Sequence, residues 1–395
     1  MVLLCSNKTL IASNPFSSYL QPKPRFLIPF SSSPLCSCGS PNFLKVLTLS
    51  ASSLPSASAT SAQSLHLQHD EPTPASLICA DWGDFAARVS GEWDGCGAEF
   101  SAEGKPVELP ESVVPGAFRE WDVQVFDWQT QCPTLASETR EPLFFYKLIK
   151  LLPTVGCEAD AATRHSVSER VAGGSENNVL AFGYHPNGRY ICVGLVNGFE
   201  GKRTLELEHC FVSPKNREER LRVIQVVRLE EGLVSLEKIW VFSEHWYGPF
   251  RNGEQLGGCA IKETGFALAK AVEVSEILGE WKGSERFAVT ELECEQKDPI
   301  HQLVKVRSQN SSRGQQCLIA LPKGLWCSLE VKEDGETCAE VGWLVDCGNA
   351  LTSRCAFHKN GGLKDGSSDD KLFPMMHQME MIMEEEAKVL DGKVW

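Results

Sequence analysis

The chain has 395 residues, of which 42% are hydrophobic and 23% are charged, so it is long enough for about two globular domains. Its 38 basic and 52 acidic side chains give a formal net charge of −14, which repels a phosphate backbone and argues against nucleic acid as a partner. No apolar run approaches the roughly 20 residues of a membrane-spanning helix, so we expect no transmembrane segment.

The N-terminal segment has the composition of a targeting peptide. No Asp or Glu precedes Asp70, Ser, Thr and Pro are frequent, and the few charges, among them Lys8 and Arg25, are positive. Hydroxyl side chains and proline outweigh arginine, which favours a chloroplast over a mitochondrial transit peptide. A merely disordered leader would usually carry both signs of charge. We therefore predict a transit peptide or disordered leader over residues 1–69 and a mature protein in the plastid stroma, where a peripheral thylakoid contact remains open.

Sixteen cysteines are scattered along the chain without a C-x-x-C pair. This spacing excludes the common zinc-ribbon and thioredoxin motifs, so we predict no metal site. Buried free thiols in a reducing compartment account best for such scatter.

A pentapeptide of the same shape occurs twice after the leader, as Gly-Glu-Trp-Asp-Gly at 91–95 and Gly-Glu-Trp-Lys-Gly at 279–283. Each copy follows a short helical pattern and precedes alternating, strand-like residues. The repeat predicts two similar domains, over residues 78–268 and 270–358.

Strand-like runs joined by tight turns fill the chain between the two copies. Asn-Gly pairs at 187–188 and 197–198 supply the positive φ angles of type I′ hairpins, and runs at 221–229 and 234–243 predict a further hairpin. A meander of such strands favours an up-and-down barrel of about eight strands. The second half repeats the pattern more compactly, with Ala339, Val341, Trp343 and Val345 on one inward-pointing face of a strand.

The pattern changes at the C-terminus. Residues 359–370 are rich in Gly, Ser and Asp and predict a loop, whereas Met376, Met379 and Met383 recur at three- and four-residue steps. This spacing predicts a C-terminal helix with its tail over residues 371–395, packed against a barrel wall or binding a partner.

A G-x-W at the start of the first strand, after a short helix and before a β meander, resembles the calycin superfamily of lipocalins and fatty-acid-binding proteins. More specifically, the chain resembles an uncharacterised calycin-like family of cyanobacteria and plastids that is itself similar to the S-type bilin lyases. The residues that carry the resemblance are Gly91-Glu92-Trp93, Gly279-Glu280-Trp281 with Arg286, Leu321-Pro322-Lys323-Gly324, Trp343 and Arg354.

The resemblance implies an all-β fold of two tandem, lipocalin-like, antiparallel up-and-down barrels, with a short helix before each. It implies that Trp93 and Trp281 close the barrel floors and that Trp281 stacks on Arg354. The candidate last strand of the first barrel, residues 258–268, contains no arginine for the same role. The W-x-S-x-R pattern usual in bilin lyases is also shifted, because Ser284 and Arg286 lie one place later and so on the other strand face.

Standard nucleophile, phosphate-binding and metalloprotease motifs are missing, so no catalytic residue is predicted. His245 lies in an aromatic run, where a structural role is the ordinary one. Trp121, Phe126 and Trp128 form an aromatic stretch that is either a ligand-contacting loop across a barrel mouth or a core strand with both faces covered. Trp326 and Trp343 are further candidate ligand contacts.

Two functions from different classes compete. As a binding protein, the chain would hold a hydrophobic plastid molecule, such as a tetrapyrrole, carotenoid or acyl lipid, in a concave apolar site. As a non-catalytic assembly factor for a photosynthetic complex, it would bind a plastid protein through its acidic surface or its C-terminal helix. An enzyme of lyase or isomerase type is a third alternative.

Overall fold

The computed structural model describes residues 74–137, 141–154, 163–197, 203–230, 233–254, 265–292, 298–333, 336–358, 378–390 and 393–394. These belong to one unit that spans His69–Trp395. The predicted leader at 1–69 and the predicted loop at 359–370 lie outside the described residues. Among the helices of the described ranges, none is long and apolar enough to cross a membrane.

The described chain is mostly β, as predicted. Its helices are α1 (Pro74–Val89), α2 (Gly116–Glu120) and α3 (Val274–Ile277), with a 3-10 turn at Phe266–Leu268. The strands are β1 (Glu92–Ser101), β2 (Asp127–Gln131), β3 (Thr134–Ser137), β4 (Leu143–Leu151), β5 (Arg164–Ala172), β6 (Ala181–Tyr184), β7 (Tyr190–Asn197), β8 (Arg203–Val212), β9 (Glu219–Glu230), β10 (Leu233–Gly248), β11 (Gly279–Glu291), β12 (Ile300–Gln302), β13 (Lys305–Arg313), β14 (Ile319–Ala320), β15 (Leu325–Val331), β16 (Thr337–Asp346), β17 (Asn349–His358), β18 (Gln378–Leu390) and β19 (Lys393–Val394).

The first sheet has the strand order β12-β6-β7-β8-β9-β10-β1-β2-β4-β3, and β5 also pairs with β4. Strands β6 to β10 form the predicted antiparallel meander. The predicted type I′ turn at the first Asn-Gly pair is wrong, because only Gly188 of the pair has a positive φ, 89°, and the pair lies in a longer loop between Tyr184 and Tyr190. Because β1 pairs with β10, the first long strand of this half neighbours its last one. The sheet therefore curls as a half-barrel, which is compatible with a barrel-type fold.

The second sheet has the order β13-β11-β18-β17-β16-β15-β14, with β19 beside β18. Here too the strand that follows the pentapeptide, β11, pairs with the last long strand, β18. One strand of the second half leaves this sheet, because β12 adds to the first sheet in parallel with β6.

The predicted C-terminal helix is wrong, because residues 378–390 form strand β18 between β11 and β17. The methionines recur at three- and four-residue steps, but they also alternate with a period of two. In the strand, Met379, Met381 and Met383 share one buried face. Glu384 and Glu386 alternate with them and are buried in ion pairs on the other face. A glutamate run is therefore compatible with a strand here, because buried arginines compensate its charge.

The two sheets pack against each other through apolar faces. We call the face of the first sheet that meets the second its outer face; Leu207, Val223 and Val241 lie there among the contacts to the second sheet. The methionines of β18 complete this shared core, as do Ala339 and Val341 of β16. The predicted apolar face of β16 is thus confirmed, although it points at the first sheet. The opposite face of the first sheet, which we call the inner face, surrounds α1.

The two pentapeptides form equivalent corners. The Trp93 and Trp281 side chains are fully buried, and each indole Nε1 donates to the carbonyl oxygen four residues earlier, at 2.9 and 2.7 Å. Gly95 and Gly283 each press on the neighbouring strand, where an added Cβ would lie 2.0 or 2.2 Å from a backbone oxygen. Only glycine allows the two strands to approach so closely. The repeated pentapeptide therefore has the same local backbone structure in both halves.

Candidate functional site

The centre of the inner face of the first sheet is filled by a buried ion-pair network. Arg222 donates two hydrogen bonds to Glu244, at 2.9 and 2.8 Å, and one to Glu208 at 2.8 Å. The hydroxyl groups of Tyr146 and Tyr190 also donate to Glu208. Burial alone would raise the pKa values of Glu208 and Glu244, but the arginines outweigh it and hold both below their usual range. Because these groups satisfy one another, the interior at this level is a packed core.

Helix α1 fills one side of this network. Trp82 and Phe85 of α1 pack edge-on or tilted against Tyr184, with ring centroids 4.8 and 5.2 Å apart. Trp93 lies in the same cluster, with the Arg220 guanidinium 4.3 Å from the centroid of its ring. A long apolar ligand therefore has no continuous path through the interior.

On the other side of the network, two indoles and a lysine form what we call the mouth site, which consists of Trp128, Lys150 and Trp240. The Lys150 Nζ lies 5.6 Å from the centroid of Trp128 and 5.3 Å from that of Trp240. Glu99 lies at its edge and accepts hydrogen bonds from Trp240 Nε1 at 2.7 Å and from Lys238 Nζ at 3.2 Å. The mouth site thus combines aromatic walls with cationic side chains.

The ammonium group of Lys150 has no carboxylate within ion-pair distance in the described ranges. Burial lowers the pKa of this group, Glu99 partly offsets that, and the positive charge of Lys238 lowers it further. A half-buried cation held only by two indole rings is well placed to bind an anionic group from outside the chain.

The connection between β1 and β2 covers the mouth site. Its backbone is tied to β1 by Val107 N–H, which donates to the Glu99 carbonyl at 2.8 Å. Leu109 and Val114 of this connection pack on Trp128, and His165 of β5 stacks on the same indole at 4.8 Å. Trp121 is 61% exposed on this cover and contacts Phe118.

The structure separates the five predicted ligand contacts. Trp128 lies in the mouth site and Trp121 on its cover, whereas Phe126 packs on the outer-face core. Trp326 is fully buried in the second sheet, where its Nε1 donates to Glu340 at 3.1 Å. Trp343 borders a cleft between the sheets. The predicted residues therefore do not form one site.

The predicted stacking of Trp281 on Arg354 is wrong. Arg313 of β13 supplies a cation over Trp281, at 5.5 Å from the ring centroid, whereas Arg354 pairs with Glu285 and Glu384. The first half has the corresponding contact as well, between Trp93 and Arg220 of β9. In both halves the arginine comes from a strand other than the last one.

Lys150 and Trp240 were not predicted as site residues from the sequence, although the pattern of β4 contains a signal for Lys150. Phe144, Tyr146, Leu148 and Lys150 alternate along β4, so a period of two places the lysine on the same face as three large apolar side chains. A cation on an otherwise buried strand face indicates an unusual site.

The cysteines of the described ranges are free. Burial raises the pKa of Cys132 and Cys338 to about 11, which makes them poor nucleophiles. Within the same ranges, no group of three or more His, Cys, Asp or Glu side chains could hold a metal ion.

No protein-family model matches the chain, and no curated protein matches it. Among solved structures, the fold resembles a crystal structure of a protein with unknown function from the DUF3598 family of Nostoc punctiforme PCC 73102. The match has a TM-score of 0.41 and 14% sequence identity, and it covers 78% of this chain and 99% of the other.

Proposed function

We propose that the protein binds an amphipathic small molecule in the mouth site, within a fold of two tandem lipocalin-like barrels. The observation that carries the proposal is the position of Lys150, a half-buried ammonium between Trp128 and Trp240 without an ion-pair partner in the described ranges. The paired first and last strands of each half, and the equivalent corners at Trp93 and Trp281, support the double-barrel part of the proposal.

A planar conjugated molecule with a carboxylate fits the mouth site best. Its carboxylate would pair with Lys150, and its flat body would stack on an indole. Of the three ligand classes considered from the sequence, a tetrapyrrole meets both demands. A carotenoid hydrocarbon chain offers Lys150 no charge, and an acyl chain needs the space that Arg222 and its partners fill.

The proposed setting is the chloroplast stroma, on the strength of the acid-free leader before Asp70. Protein purified from plastids should then begin after the leader, within about 20 residues of Asp70. An intact Met1 terminus on plastid material would contradict this setting.

The test of the binding proposal is a titration of the full chain with a dicarboxylate porphyrin, followed by tryptophan quenching and porphyrin absorbance. Lys150→Met should weaken binding at least about tenfold, because the carboxylate loses its partner, whereas Lys150→Arg should retain most of the affinity. Lys147→Met is the matched control, since Lys147 lies on the same strand but pairs with Glu169. Equal affinity of wild type and Lys150→Met, or no binding to wild type, would overturn the proposal.

A further inference from the structure

A cleft of about 130 Å³ lies where the outer face of the first sheet meets the β14–β15 turn of the second. It brings together three features that the sequence presents far apart: His245 of the aromatic run, Lys323 of the Leu-Pro-Lys-Gly turn, and Trp343. The mouth site uses none of them.

The polar lining of this cleft carries both signs of charge. Glu219 and His245 are opposite each other on β9 and β10, with Glu219 Oε1 3.8 Å from His245 Nε2, and both side chains are about half exposed. Lys323 brings an ammonium group from the second sheet. A ligand of a single charge would therefore meet one group of its own sign.

The turn that carries Lys323 is fixed in place. Lys323 has a φ of 63° and Gly324 a φ of 75°. The Gly324 carbonyl accepts a 2.8 Å hydrogen bond from Leu344 N–H, and Leu325 N–H donates to the Pro322 carbonyl at 3.2 Å. Lys323 is thus presented by a rigid turn, which lowers the entropy lost when a ligand orders it.

Arg220 and Glu244 also line the cleft, but their side chains are fully buried and pair with each other at 2.7 Å. The remaining lining is apolar or uncharged. Leu221 and Ser243 are buried on the first sheet, and Trp343 closes the cleft from the second. The volume is similar to that of an engineered cavity of about 150 Å³ that binds benzene, which limits an occupant to a small organic molecule.

We propose that this cleft binds a small zwitterion, an amino acid whose ammonium group pairs with Glu219 and whose carboxylate pairs with Lys323. Its carbon chain lies against Trp343 and Leu221. Because the cleft lies between the sheets and on the outer face, it is separate from the mouth site and acts independently of it.

The test compares three probes by calorimetry at one ionic strength: β-alanine, which carries both charges, propionate, which carries only the carboxylate, and propylamine, which carries only the ammonium. Wild type should bind β-alanine at least about tenfold more tightly than either of the others. Lys150→Met should leave this affinity unchanged, which distinguishes the cleft from the mouth site.

Two variants test which side chain pairs with the ammonium group of the ligand and which pairs with its carboxylate. Glu219→Gln should lower the affinity for β-alanine about tenfold and leave that for propionate unchanged or higher. Lys323→Asn should lower the affinity for β-alanine about tenfold and leave that for propylamine unchanged or higher. Asparagine tolerates the left-handed backbone at this position. Glu218→Gln and Lys332→Gln, at positions outside the lining, are the matched controls. Equal affinity for all three probes, propionate bound as tightly as β-alanine, or loss of affinity in the controls would overturn the proposal.

Discussion

His209 shows how burial fixes the charge of one residue. The side chain lies in the interface between the sheets, fully buried, with Nδ1 2.8 Å from Ser353 Oγ. Its Nε2 has no hydrogen-bond partner in the described structure. Burial lowers the pKa of this imidazole to about 3, against the opposing effect of Glu208 and Glu340. The ring is therefore neutral in the folded protein well below neutral pH.

We expect His209 to make the protein sensitive to mild acid. The unfolded chain takes up the proton near pH 6.5, whereas the folded chain does not until about pH 3. Stability from this residue is therefore present above pH 6.5 and is lost as the pH falls, by about 2 kcal/mol at pH 5. His209→Gln should reduce the pH dependence of the unfolding free energy by about that amount, measured by urea denaturation at pH 7 and 5.

His185, whose pKa burial lowers to about 4, should supply part of the slope that remains in His209→Gln. An unaltered slope in His209→Gln would show that other groups govern acid unfolding.

At the scale of the element, β18 is the segment whose structure differs most from its sequence pattern. It is an interior strand of the second sheet, and its methionine face forms part of the core between the sheets. Met381 packs closely on the first sheet, since a Cβ added at Gly183 would lie 2.9 Å from the Met381 sulfur atom. The strand therefore joins the two sheets as well as its two neighbours.

Met381→Lys should destabilise the protein by about 3 kcal/mol or more, because it places an ammonium group without a partner in an apolar core. Met381→Leu, of similar volume, should cost less than about 1.5 kcal/mol. Urea denaturation followed by circular dichroism measures both. Similar small losses for the two variants would mean that residue 381 does not face this core.

Some elements could be predicted from the sequence and others could not, for a physical reason. The hairpins at Asn187-Gly188 and between β9 and β10 follow from local turn chemistry, as do the two Gly-x-Trp corners. The strand character of β18 depends on arginines that lie far away in the chain, such as Arg313 and Arg354. Local pattern does not contain that information, so glutamates beside methionines indicated a helix.

The same limit applies to the sites. Alternation along β4 could have indicated Lys150, but its two indoles come from β2 and β10. The cleft needs the packing of one sheet on the other before His245, Lys323 and Trp343 meet. Motif reading could therefore find several residues of each site, but it could not group them.

At the scale of the whole molecule, the two halves repeat one local design but share their core. Leu207 and Val223 of the first sheet belong to apolar clusters that include Met381 and Val341 of the second. His209 and Ser353 add a buried hydrogen bond across the interface, and β12 joins the first sheet directly. Neither sheet buries both of its faces without the other.

We therefore expect the described unit to unfold in a single cooperative transition, and substitutions at the two equivalent corners to lower the same midpoint. Trp93→Ala and Trp281→Ala should each cost about 3 to 5 kcal/mol, because each removes a fully buried indole. Trp121→Ala is the matched control and should cost less than about 1 kcal/mol, since Trp121 is 61% exposed. The measurement is chemical denaturation followed by both fluorescence and circular dichroism, with calorimetry as a test of two-state behaviour. Two separate transitions, with Trp93→Ala shifting only one and Trp281→Ala only the other, would show that the halves are independent and that the shared core does not couple them.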